Sequence, residues 1–467
     1  MSEGNTMRSN PSQPGENAVT LSIQGETFLV HKTLLGAPYP QTLSLEATNH
    51  CNLCCSHCGH SQYPGFSKGH FDMKYFQKIE HLLGPAISGI SLSNFGEPFV
   101  SKTWKDLLKK SLSLKAPGIF FITNGLLLDR HIEEILTPRI SVAISIDGAS
   151  EETYSSFRGK GKFSKLTTNL ALLKEAKSVK GVTYPEVTFL FTVSRLNCED
   201  LPRIVDMAYR FGVRSVIVQL QVFFDRERFR RESLYFARDE YDGNIVAAGA
   251  RASALGINLL HPDSFDGRHV MLRSLPVNSW LGLDAGGRIQ CFSHSAVCYV
   301  KFNGVVEACC APDHAVMGSL DFDRFEDIWH GPHYRRLRLA LDRGVLPGMC
   351  RYCNLFQAID VHDERAHLIE IPDSAREKRP EPQRYRVTEL EPAYQEALSL
   401  LTRDSERALR ILEQLLGIDE NLYEVRNMQA CLRGLHGDMP AMYRELKECA
   451  SVAPKDPVIM QNCARFH

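Results

Sequence analysis

The sequence lacks the features that would mark a membrane, secreted or nucleic-acid-binding protein. No apolar run approaches the roughly eighteen residues that a membrane-spanning helix needs. Neither sign of charge dominates, because 54 Lys and Arg nearly balance 55 Asp and Glu. The first twenty residues are polar and rich in Ser, Asn and Pro, which is typical of a disordered tail and not of a signal peptide. These absences predict a cytoplasmic protein with no nucleic-acid or membrane partner.

The cysteines of the sequence are unusually clustered. Four of the fourteen cysteines fall within residues 51–58, and six more fall within residues 291–353. A disulfide framework is not expected in a reducing compartment, so clustered cysteines indicate metal binding or catalysis. The sequence therefore predicts two separate cysteine sites.

The chain between residues 42 and 262 alternates short apolar runs with amphipathic stretches, which predicts repeated βα units and a parallel sheet. Six strands are predicted, at residues 43–47, 89–94, 118–123, 140–146, 187–193 and 213–220. Six such units would form an α/β fold of the partial TIM-like (β/α)6 barrel type. Chemistry in such folds gathers at the C-terminal ends of the strands.

The segments outside the barrel are predicted as smaller domains. Residues 1–41 contain the tail and a hairpin around Gln24-Gly25, and residues 263–371 form a cysteine-rich domain. Residues 372–386 have the charge and proline content of a linker. Residues 387–467 contain helices about one tetratricopeptide period apart, which are either a cap or a module that binds a partner or a second copy.

The first cysteine site has the spacing C-x3-C-x2-C, formed by Cys51, Cys55 and Cys58 directly after the first predicted strand. Three thiolates on one loop can bind three irons of a [4Fe–4S] cluster and leave the fourth iron without a protein ligand. A zinc site completed by His57 or His60 is the alternative that the spacing leaves open.

At this point the sequence resembles the radical SAM superfamily, in which such a loop follows the first strand of a partial barrel. The motifs that carry the resemblance are NFGEP (94–98), FITNG (121–125), SIDGAS (145–150) and FRGKGKF (157–163). The resemblance implies a [4Fe–4S] cluster that binds S-adenosylmethionine (SAM) and cleaves it to a 5′-deoxyadenosyl radical. It also implies an external electron donor such as flavodoxin or ferredoxin.

The resemblance further implies roles for single residues. Arg158 would face the SAM carboxylate, the backbone around Gly96 and Glu97 would hold the amine, and His57 would pack near the adenine. The other candidate cofactor contacts are Asn94, Pro98, Asn124, Ser145 and Asp147. As acids at strand ends, Glu97 and Asp147 could instead cap the following helices. Cys54 lies between the ligands and is not one of the three.

The second cysteine site resembles the SPASM domain or its shortened twitch form, which holds an auxiliary [4Fe–4S] cluster. The cysteines that match best are Cys291, Cys309, Cys350 and Cys353, with Cys298 and Cys310 as substitutes. Residues 354–430 contain no cysteine, so a single auxiliary cluster is expected. A zinc ribbon is the alternative, although ribbons usually have two tight cysteine pairs.

Two clusters on either side of a cavity predict hydrogen abstraction from a substrate carbon, with two outcomes. If the auxiliary cluster accepts the remaining electron, an alcohol is dehydrogenated or a peptide side chain is modified. If a thiol returns a hydrogen, the product is an epimer, and Cys198 after the fifth strand is the candidate donor. With this candidate donor, epimerisation of a sugar-like or cyclitol substrate is the favoured prediction. The forty residues before the barrel are too few for the leader-binding domain of related peptide maturases, which favours a small molecule or carbohydrate, or a protein held by the C-terminal helices.

Two further interpretations stay open at this stage. The RERFRRE stretch (226–232) is either a patch for an anionic group such as a phosphate or one solvated helix face. The non-enzymatic alternative for the whole chain is a zinc-stapled scaffold whose C-terminal helices bind partners.

Overall fold

The computed structural model describes residues 17–59, 67–114, 118–159, 161–267, 281–283, 289–291, 293–310, 316–346, 350–351, 353, 361–364, 367–368 and 382–464. Fourteen strands lie within these described residues. The strands are β1 (Ala18–Ile23), β2 (Glu26–His31), β3 (Thr42–Leu45), β4 (Gly89–Ser91), β5 (Gly118–Thr123), β6 (Ile140–Ser145), β7 (Glu186–Val193), β8 (Ser215–Leu220), β9 (Asn258–Leu260), β10 (Leu281–Leu283), β11 (Ile289–Cys291), β12 (Val297–Val300), β13 (Val305–Glu307) and β14 (Val316–Ser319).

Helices occupy much of the remaining described chain. They are α1 (Met73–Ile79), α2 (Trp104–Ser113), α3 (Ile132–Ile135), α4 (Glu151–Arg158), α5 (Phe163–Lys180), α6 (Leu201–Phe211), α7 (Arg226–Glu232), α8 (Arg238–Leu255), α9 (Ser293–Ala296), α10 (Phe325–Trp329), α11 (Pro332–Asp342), α12 (Val387–Leu400), α13 (Ser405–Ile418), α14 (Tyr423–Leu435), α15 (Met439–Val452) and α16 (Pro457–Cys463). Among the described residues, none of these helices has both the length and the hydropathy to span a bilayer.

The chain divides into two compact units that are discontinuous in sequence. The helical unit contains Met1–Pro38, Phe322–Pro347 and Glu381–His467, and the barrel unit contains Tyr39–Asp321 and Gly348–Pro380. The domain boundaries predicted from the sequence follow the chain in order, whereas in the structure the N-terminal hairpin shares a unit with the C-terminal helices. The predicted linker at residues 372–386 falls mostly outside the described residues.

The barrel unit is built on a ten-stranded sheet whose centre is β3 to β8 in chain order. Each of these six strands pairs in parallel with the next. All six predicted strands are present, and β5 has the predicted bounds. On the far side of β3 the sheet continues with β12 in parallel and then with antiparallel β13 and β14. The prediction of an α/β fold with a partial (β/α)6 barrel is confirmed.

The helices between the strands cover the sheet with one apolar face. In α6, Leu201, Ile204, Val205 and Ala208 are buried and recur at the three- and four-residue spacing of a helix face. Because parallel strands end at the same edge of a sheet, the loops after β3 to β8 meet there. This edge carries the predicted cofactor residues.

The helical unit combines the predicted hairpin with helices α10 to α16. Gln24 (φ 51°) and Gly25 (φ 85°) form the two-residue loop between β1 and β2, where both residues need a positive φ. The hairpin residues Phe28 and Val30 are fully buried in one core with residues such as Met428 of α14. The helices α13 and α15 begin at Ser405 and Met439, about the 34 residues of a tetratricopeptide period apart.

Candidate active site

The cysteine loop follows β3 at the C-terminal edge of the sheet. Cys55 is buried, Cys51 and Cys58 are half-buried, and Cys54 is exposed. The loop is tightened by a hydrogen bond from the Cys58 N–H to the Cys55 carbonyl oxygen (3.2 Å). The Leu53 N–H donates to the Cys51 Sγ (3.4 Å). The structure thus distinguishes the three predicted ligands from Cys54, which faces solvent.

The chemistry of this loop fits an iron–sulfur cluster. Burial raises the pKa of Cys51 to about 12 and also raises that of Cys55. Thiolates at these positions therefore need a positive partner, which cluster irons supply. Among the described residues, no three His, Cys, Asp or Glu side chains are grouped as ligands of one metal ion. A [4Fe–4S] cluster does not require such a group, because each thiolate binds a different iron.

The NFGEP turn lies against the backbone of the cysteine loop. Gly96 has φ +82°, and a Cβ at this position would lie 2.6 Å from the carbonyl oxygens of Thr48 and His50. The Glu97 N–H donates to the His50 carbonyl oxygen (2.8 Å). Only glycine allows this close approach, so the motif supports the start of the cysteine loop.

The Glu97 carboxylate connects the ends of β4 and β5. It accepts hydrogen bonds from the Thr123 hydroxyl (2.7 Å) and the Asn124 N–H (2.7 Å). It also caps the 3₁₀ turn that begins at Pro98. Burial outweighs these hydrogen bonds and raises the pKa of Glu97 to about 7. The side chain of Glu97 is thus used within the protein, which leaves backbone groups of the turn for the predicted SAM contact.

Asn124 also contacts the cysteine loop. Its Nδ2 donates to the Asn52 Oδ1 (2.8 Å), and its Oδ1 accepts from the Leu126 N–H (3.0 Å). The end of β5 is therefore joined to the loop between Cys51 and Cys55. Asn52 was not singled out in the sequence, because a lone Asn beside a cysteine carries no distinctive signal.

Asp147, Arg158 and His57 form a buried polar group beside Cys55. The Asp147 Oδ2 lies 2.5 Å from the Arg158 Nη2 and 3.4 Å from the His57 Nε2. The Arg158 Nη1 lies 3.8 Å from the Cys55 Sγ. Burial lowers the pKa of His57 to about 4, so its imidazole is neutral. The His57 ring also contacts Phe157, with 5.8 Å between ring centroids.

Several polar atoms at the strand ends are buried without a hydrogen-bond partner within the described residues. They are the His57 Nδ1, the Asn94 Nδ2, the Asp147 Oδ2, which instead has its ion pair with Arg158, the Arg158 Nε and the Gln221 Oε1. Buried polar groups normally have partners, and SAM has a carboxylate, an amine, ribose hydroxyls and an adenine to supply them. The predicted contact Ser145 is the half-buried last residue of β6.

Gln221 was not indicated by the sequence, and Arg228 was indicated only as part of the RERFRRE stretch, for an anionic group or a solvated helix face. Gln221 directly follows β8 and is buried. Arg228, in the RERFRRE helix α7, donates from Nη1 to the Ser56 carbonyl oxygen of the cysteine loop (2.6 Å). It also pairs with Glu232 one turn later (2.7 Å). A charge run gives no hint of such a contact, because the contact depends on where the helix packs.

The predicted auxiliary cysteines belong to the same unit as the first loop. Cys291 ends β11, and its pKa is raised to about 11 by burial and by the nearby Cys353 and Cys310. The Cys353 N–H donates to the Cys350 carbonyl oxygen (3.3 Å), which shapes the C-x2-C turn. Cys309 and Cys310 are hydrogen-bonded to each other, and this bond lowers the pKa of Cys310 to about 7.

The two substitute cysteines differ in their surroundings. Cys298 is fully buried in β12, where it pairs with Leu43 of β3. Cys310 lies close enough to Cys291 to affect its pKa. Of the two, Cys310 is therefore the better placed to join the predicted ligands.

Cys198 begins a 3₁₀ turn (Cys198–Asp200) between β7 and α6. Its side chain is fully buried, and its Sγ lies 3.8 Å from the Arg195 carbonyl oxygen. Burial raises its pKa to about 11. The thiol is thus protonated and enclosed by protein.

Comparison with known families agrees with both cysteine sites. Residues 45–208 match the radical SAM superfamily, and residues 291–354 match the SPASM iron–sulfur cluster-binding domain. The chain therefore contains a radical SAM domain followed by a SPASM domain. This radical SAM protein uses SAM, a SAM-binding [4Fe–4S] cluster and an auxiliary [4Fe–4S] cluster. The individual ligand assignments within each site stay predictions.

Three curated relatives show the range of proteins to which the chain is similar. The mycofactocin maturase MftC of Mycolicibacterium smegmatis is 27% identical over 351 residues, which cover 72% of this chain and 81% of the relative. AlbA of Bacillus subtilis, an antilisterial bacteriocin subtilosin biosynthesis protein, is 30% identical over 30% of this chain and 31% of its own length. The AdoMet-dependent heme synthase of Oleidesulfovibrio alaskensis is 22% identical over 68% and 82%.

The fold is also similar to that of a solved structure. A histidine-tagged form of anSMEcpe with bound AdoMet has a TM-score of 0.50 and 16% identity, over 82% of this chain and 98% of that chain. At this identity the likeness concerns the fold alone.

Proposed function

We propose that this radical SAM enzyme oxidises a side chain of a precursor peptide. When bound, the cluster that Cys51, Cys55 and Cys58 would hold would supply the electron that cleaves SAM to a 5′-deoxyadenosyl radical. The auxiliary cluster that Cys291, Cys309, Cys350 and Cys353 would hold would accept the electron that the substrate loses and pass it to an external electron carrier. The residues at the strand ends hold and orient SAM, and an external one-electron donor restores the cluster. The substrate loses two hydrogen atoms in total, one to the deoxyadenosyl group and one as a proton.

The observation that carries the choice of oxidation is the enclosure of Cys198. Epimerisation requires a thiol that can meet the substrate radical and return a hydrogen atom. Cys198 is the candidate donor from the sequence, and its Sγ is buried beside the Arg195 carbonyl oxygen. This placement supports electron loss to the auxiliary cluster over hydrogen return.

The choice of a peptide is supported by the relatives. The maturase and the bacteriocin biosynthesis protein act in the production of mycofactocin and subtilosin. The heme synthase relative is a reason to test other substrates as well. A sugar-like substrate, which the sequence favoured, is the second candidate and corresponds to the epimerisation outcome.

The test uses the reconstituted full chain in D2O, with SAM, a chemical reductant and short peptides whose genes lie next to the gene for this protein. Oxidation predicts a product lighter by two hydrogen atoms and one 5′-deoxyadenosine per product. An epimer instead gains one deuterium from solvent in place of the abstracted hydrogen and loses no hydrogen atoms overall. A deuterium-labelled epimer that disappears in Cys198→Ala would overturn the proposal and restore the epimerase prediction.

A further inference from the structure

Arg158 makes two contacts that differ from its predicted role. Its Nη2 lies 2.5 Å from the Asp147 Oδ2, and its Nη1 lies 3.8 Å from the Cys55 Sγ. Of its donor nitrogens, only Nε is buried without a hydrogen-bond partner among the described residues. The guanidinium has five N–H groups, so these two contacts leave others for the SAM carboxylate. What the sequence did not indicate is that its Nη1 faces a cysteine that is a predicted cluster ligand.

Asp147 fixes the orientation of this guanidinium. Its side chain is fully buried, and its Oδ1 accepts a hydrogen bond from the Thr192 N–H of β7 (2.8 Å). Its own carbonyl oxygen accepts from the Asn197 Nδ2 (3.1 Å). The carboxylate is thus held by the neighbouring strand, and the Asp147 backbone is held by the loop that follows that strand. Arg158 cannot swing away without giving up this buried ion pair.

The end of α4 is also attached to the cysteine loop. The Ser56 N–H donates to the Phe157 carbonyl oxygen (3.0 Å). A Cβ on Gly159, which has φ +60°, would lie 2.9 Å from the Cys54 carbonyl oxygen. The Arg158 guanidinium and the Cys55 sulfur are therefore placed together by backbone contacts and not only by the length of a flexible side chain.

A hydrogen bond to a cluster sulfur has a known physical effect. The reduction potential of an iron–sulfur cluster depends on net charge, hydrogen bonds to its sulfurs and solvent exposure. A donor stabilises the more negative, reduced state, and it does so more strongly in a buried site of low dielectric. Arginine stays charged and presents its donors in a rigid fork, so one guanidinium can bind Asp147 and the sulfur together.

We propose that Arg158, held by Asp147, is a positioning residue that donates to the Cys55 sulfur and raises the reduction potential of the SAM-binding cluster. The step concerned is the addition of one electron to this cluster from the external reductant. The inference rests on the presence of that cluster and not on the peptide substrate, so the two proposals fail independently.

Arg228 provides a matched control. It donates to the Ser56 carbonyl oxygen of the same loop (2.6 Å) and pairs with Glu232, as Arg158 pairs with Asp147. Replacing either arginine by glutamine removes one ion-paired charge and one side-chain hydrogen bond to the loop. For Arg158 that bond goes to a cysteine sulfur and for Arg228 it goes to a backbone carbonyl, so the difference between the variants reports the bond to sulfur.

The experiment is an anaerobic reductive titration of the reconstituted full chain, followed by electron paramagnetic resonance. The SAM-binding cluster is recognised as the signal that changes when SAM is added. We expect Arg158→Gln to lower the ratio of reduced to oxidised cluster at a fixed potential by about tenfold, which is about 59 mV for one electron. Arg158→Lys and Asp147→Asn should give smaller shifts, and Arg228→Gln the smallest.

Two results would overturn the proposal, namely an unchanged potential in Arg158→Gln and an equal shift in Arg228→Gln. If the potential is unchanged and SAM affinity falls, Arg158 serves the SAM carboxylate alone. Should Arg158→Gln fail to retain iron, Arg158→Lys and Asp147→Asn decide the question. An unchanged potential in both of these variants would then also overturn the proposal.

Discussion

At the scale of single residues, the helical unit depends on a buried ion pair. The Arg335 Nη1 lies 2.7 Å from the Glu424 Oε1 and 2.6 Å from its Oε2. Both residues are buried, and the Arg335 Nη2 also donates to the Leu34 carbonyl oxygen (3.4 Å). One side chain therefore joins α11, α14 and the end of the hairpin segment. Removal of either partner would leave a buried charge without compensation.

Glu424→Ala is expected to destabilise the helical unit by about 3–5 kcal/mol. The measurement is unfolding in urea, monitored by hydrogen exchange of the peptides that cover α11 and α14. Glu448→Ala is the matched control, because Glu448 forms an exposed pair with Arg426 (3.3 Å) that should contribute less than about 1 kcal/mol. Similar losses in the two variants would contradict the role assigned to the buried pair.

His330 gives the helical unit a dependence on pH. Burial, with Arg338 and Arg335 nearby, lowers the pKa of His330 to about 3 from its ordinary 6.5. Between these values the unfolded chain binds a proton that the folded chain does not. Stability is therefore retained above pH 6.5 and falls by about 1.4 kcal/mol for each pH unit below it, down to about pH 3.

His330→Gln should remove this slope without removing the contributions of other groups. The free energy of unfolding of the helical unit, from hydrogen exchange in α10, is compared at about pH 7.5 and about pH 5.5 in both proteins, on either side of the ordinary histidine pKa. We expect a larger loss on acidification in the original protein than in the variant. Equal losses would show that His330 does not titrate as its burial implies.

At the scale of elements, the hairpin is attached to the helices by two asparagines. The Leu29 N–H of β2 donates to the Asn462 Oδ1 (2.7 Å), and the Leu29 carbonyl oxygen accepts from the Asn462 Nδ2 (2.8 Å) and the Asn427 Nδ2 (2.9 Å). The Asn462 Nδ2 also lies 2.9 Å from the Asn427 Oδ1. These bonds satisfy the edge of β2 that faces away from β1.

Asn427→Ala and Asn462→Ala should each destabilise the hairpin by about 1–3 kcal/mol, because buried backbone groups lose their partners. The double variant should lose less than the sum of the single losses, since the two side chains share one network. Hydrogen exchange of the Leu29 amide measures the effect. Gln395→Ala is the control, since Gln395 makes an exposed bond to the Lys32 carbonyl oxygen (2.5 Å) and should have little effect.

The sequence predicts those elements whose signal is local. The run GIFFIT and the Gln24-Gly25 turn predicted β5 and the hairpin, because apolar runs and turn residues act over a few neighbours. The parallel pairing of β12 with β3 was not predicted, since its partners, such as Cys298 and Leu43, are far apart in the chain. The same limit separated the hairpin from the C-terminal helices in the predicted domain boundaries.

In the candidate site, too, the features with a local sequence signal were predicted and those that depend on long-range packing were not. The spacing of Cys51, Cys55 and Cys58 and the order of the later motifs were sufficient to recognise the family. The bond between Arg158 and Cys55 was not predictable, because it depends on how the end of α4 docks on the loop. Arg228 was hidden in a charge run for the same reason.

At the scale of the whole molecule, the two cysteine sites predict the iron content of the protein. Reconstituted protein should contain about eight irons and lose about four in a Cys51/Cys55/Cys58→Ala variant. A Cys350/Cys353→Ala variant should also lose about four, while the signal that responds to SAM persists. Iron and acid-labile sulfide analysis measures both results. Zinc in place of iron would restore the scaffold alternative.

The discontinuity of the helical unit sets an order of events during synthesis. Leu29 and Asn462 bond across 433 positions of the chain. At translation rates of about 5–20 residues per second, β2 leaves the ribosome roughly 20–90 seconds before α16 does. During that interval the apolar face of the hairpin, with Phe28 and Val30, has no native partner from the C-terminal helices. Slow or interrupted translation should therefore increase chaperone dependence at the N-terminal end of this protein.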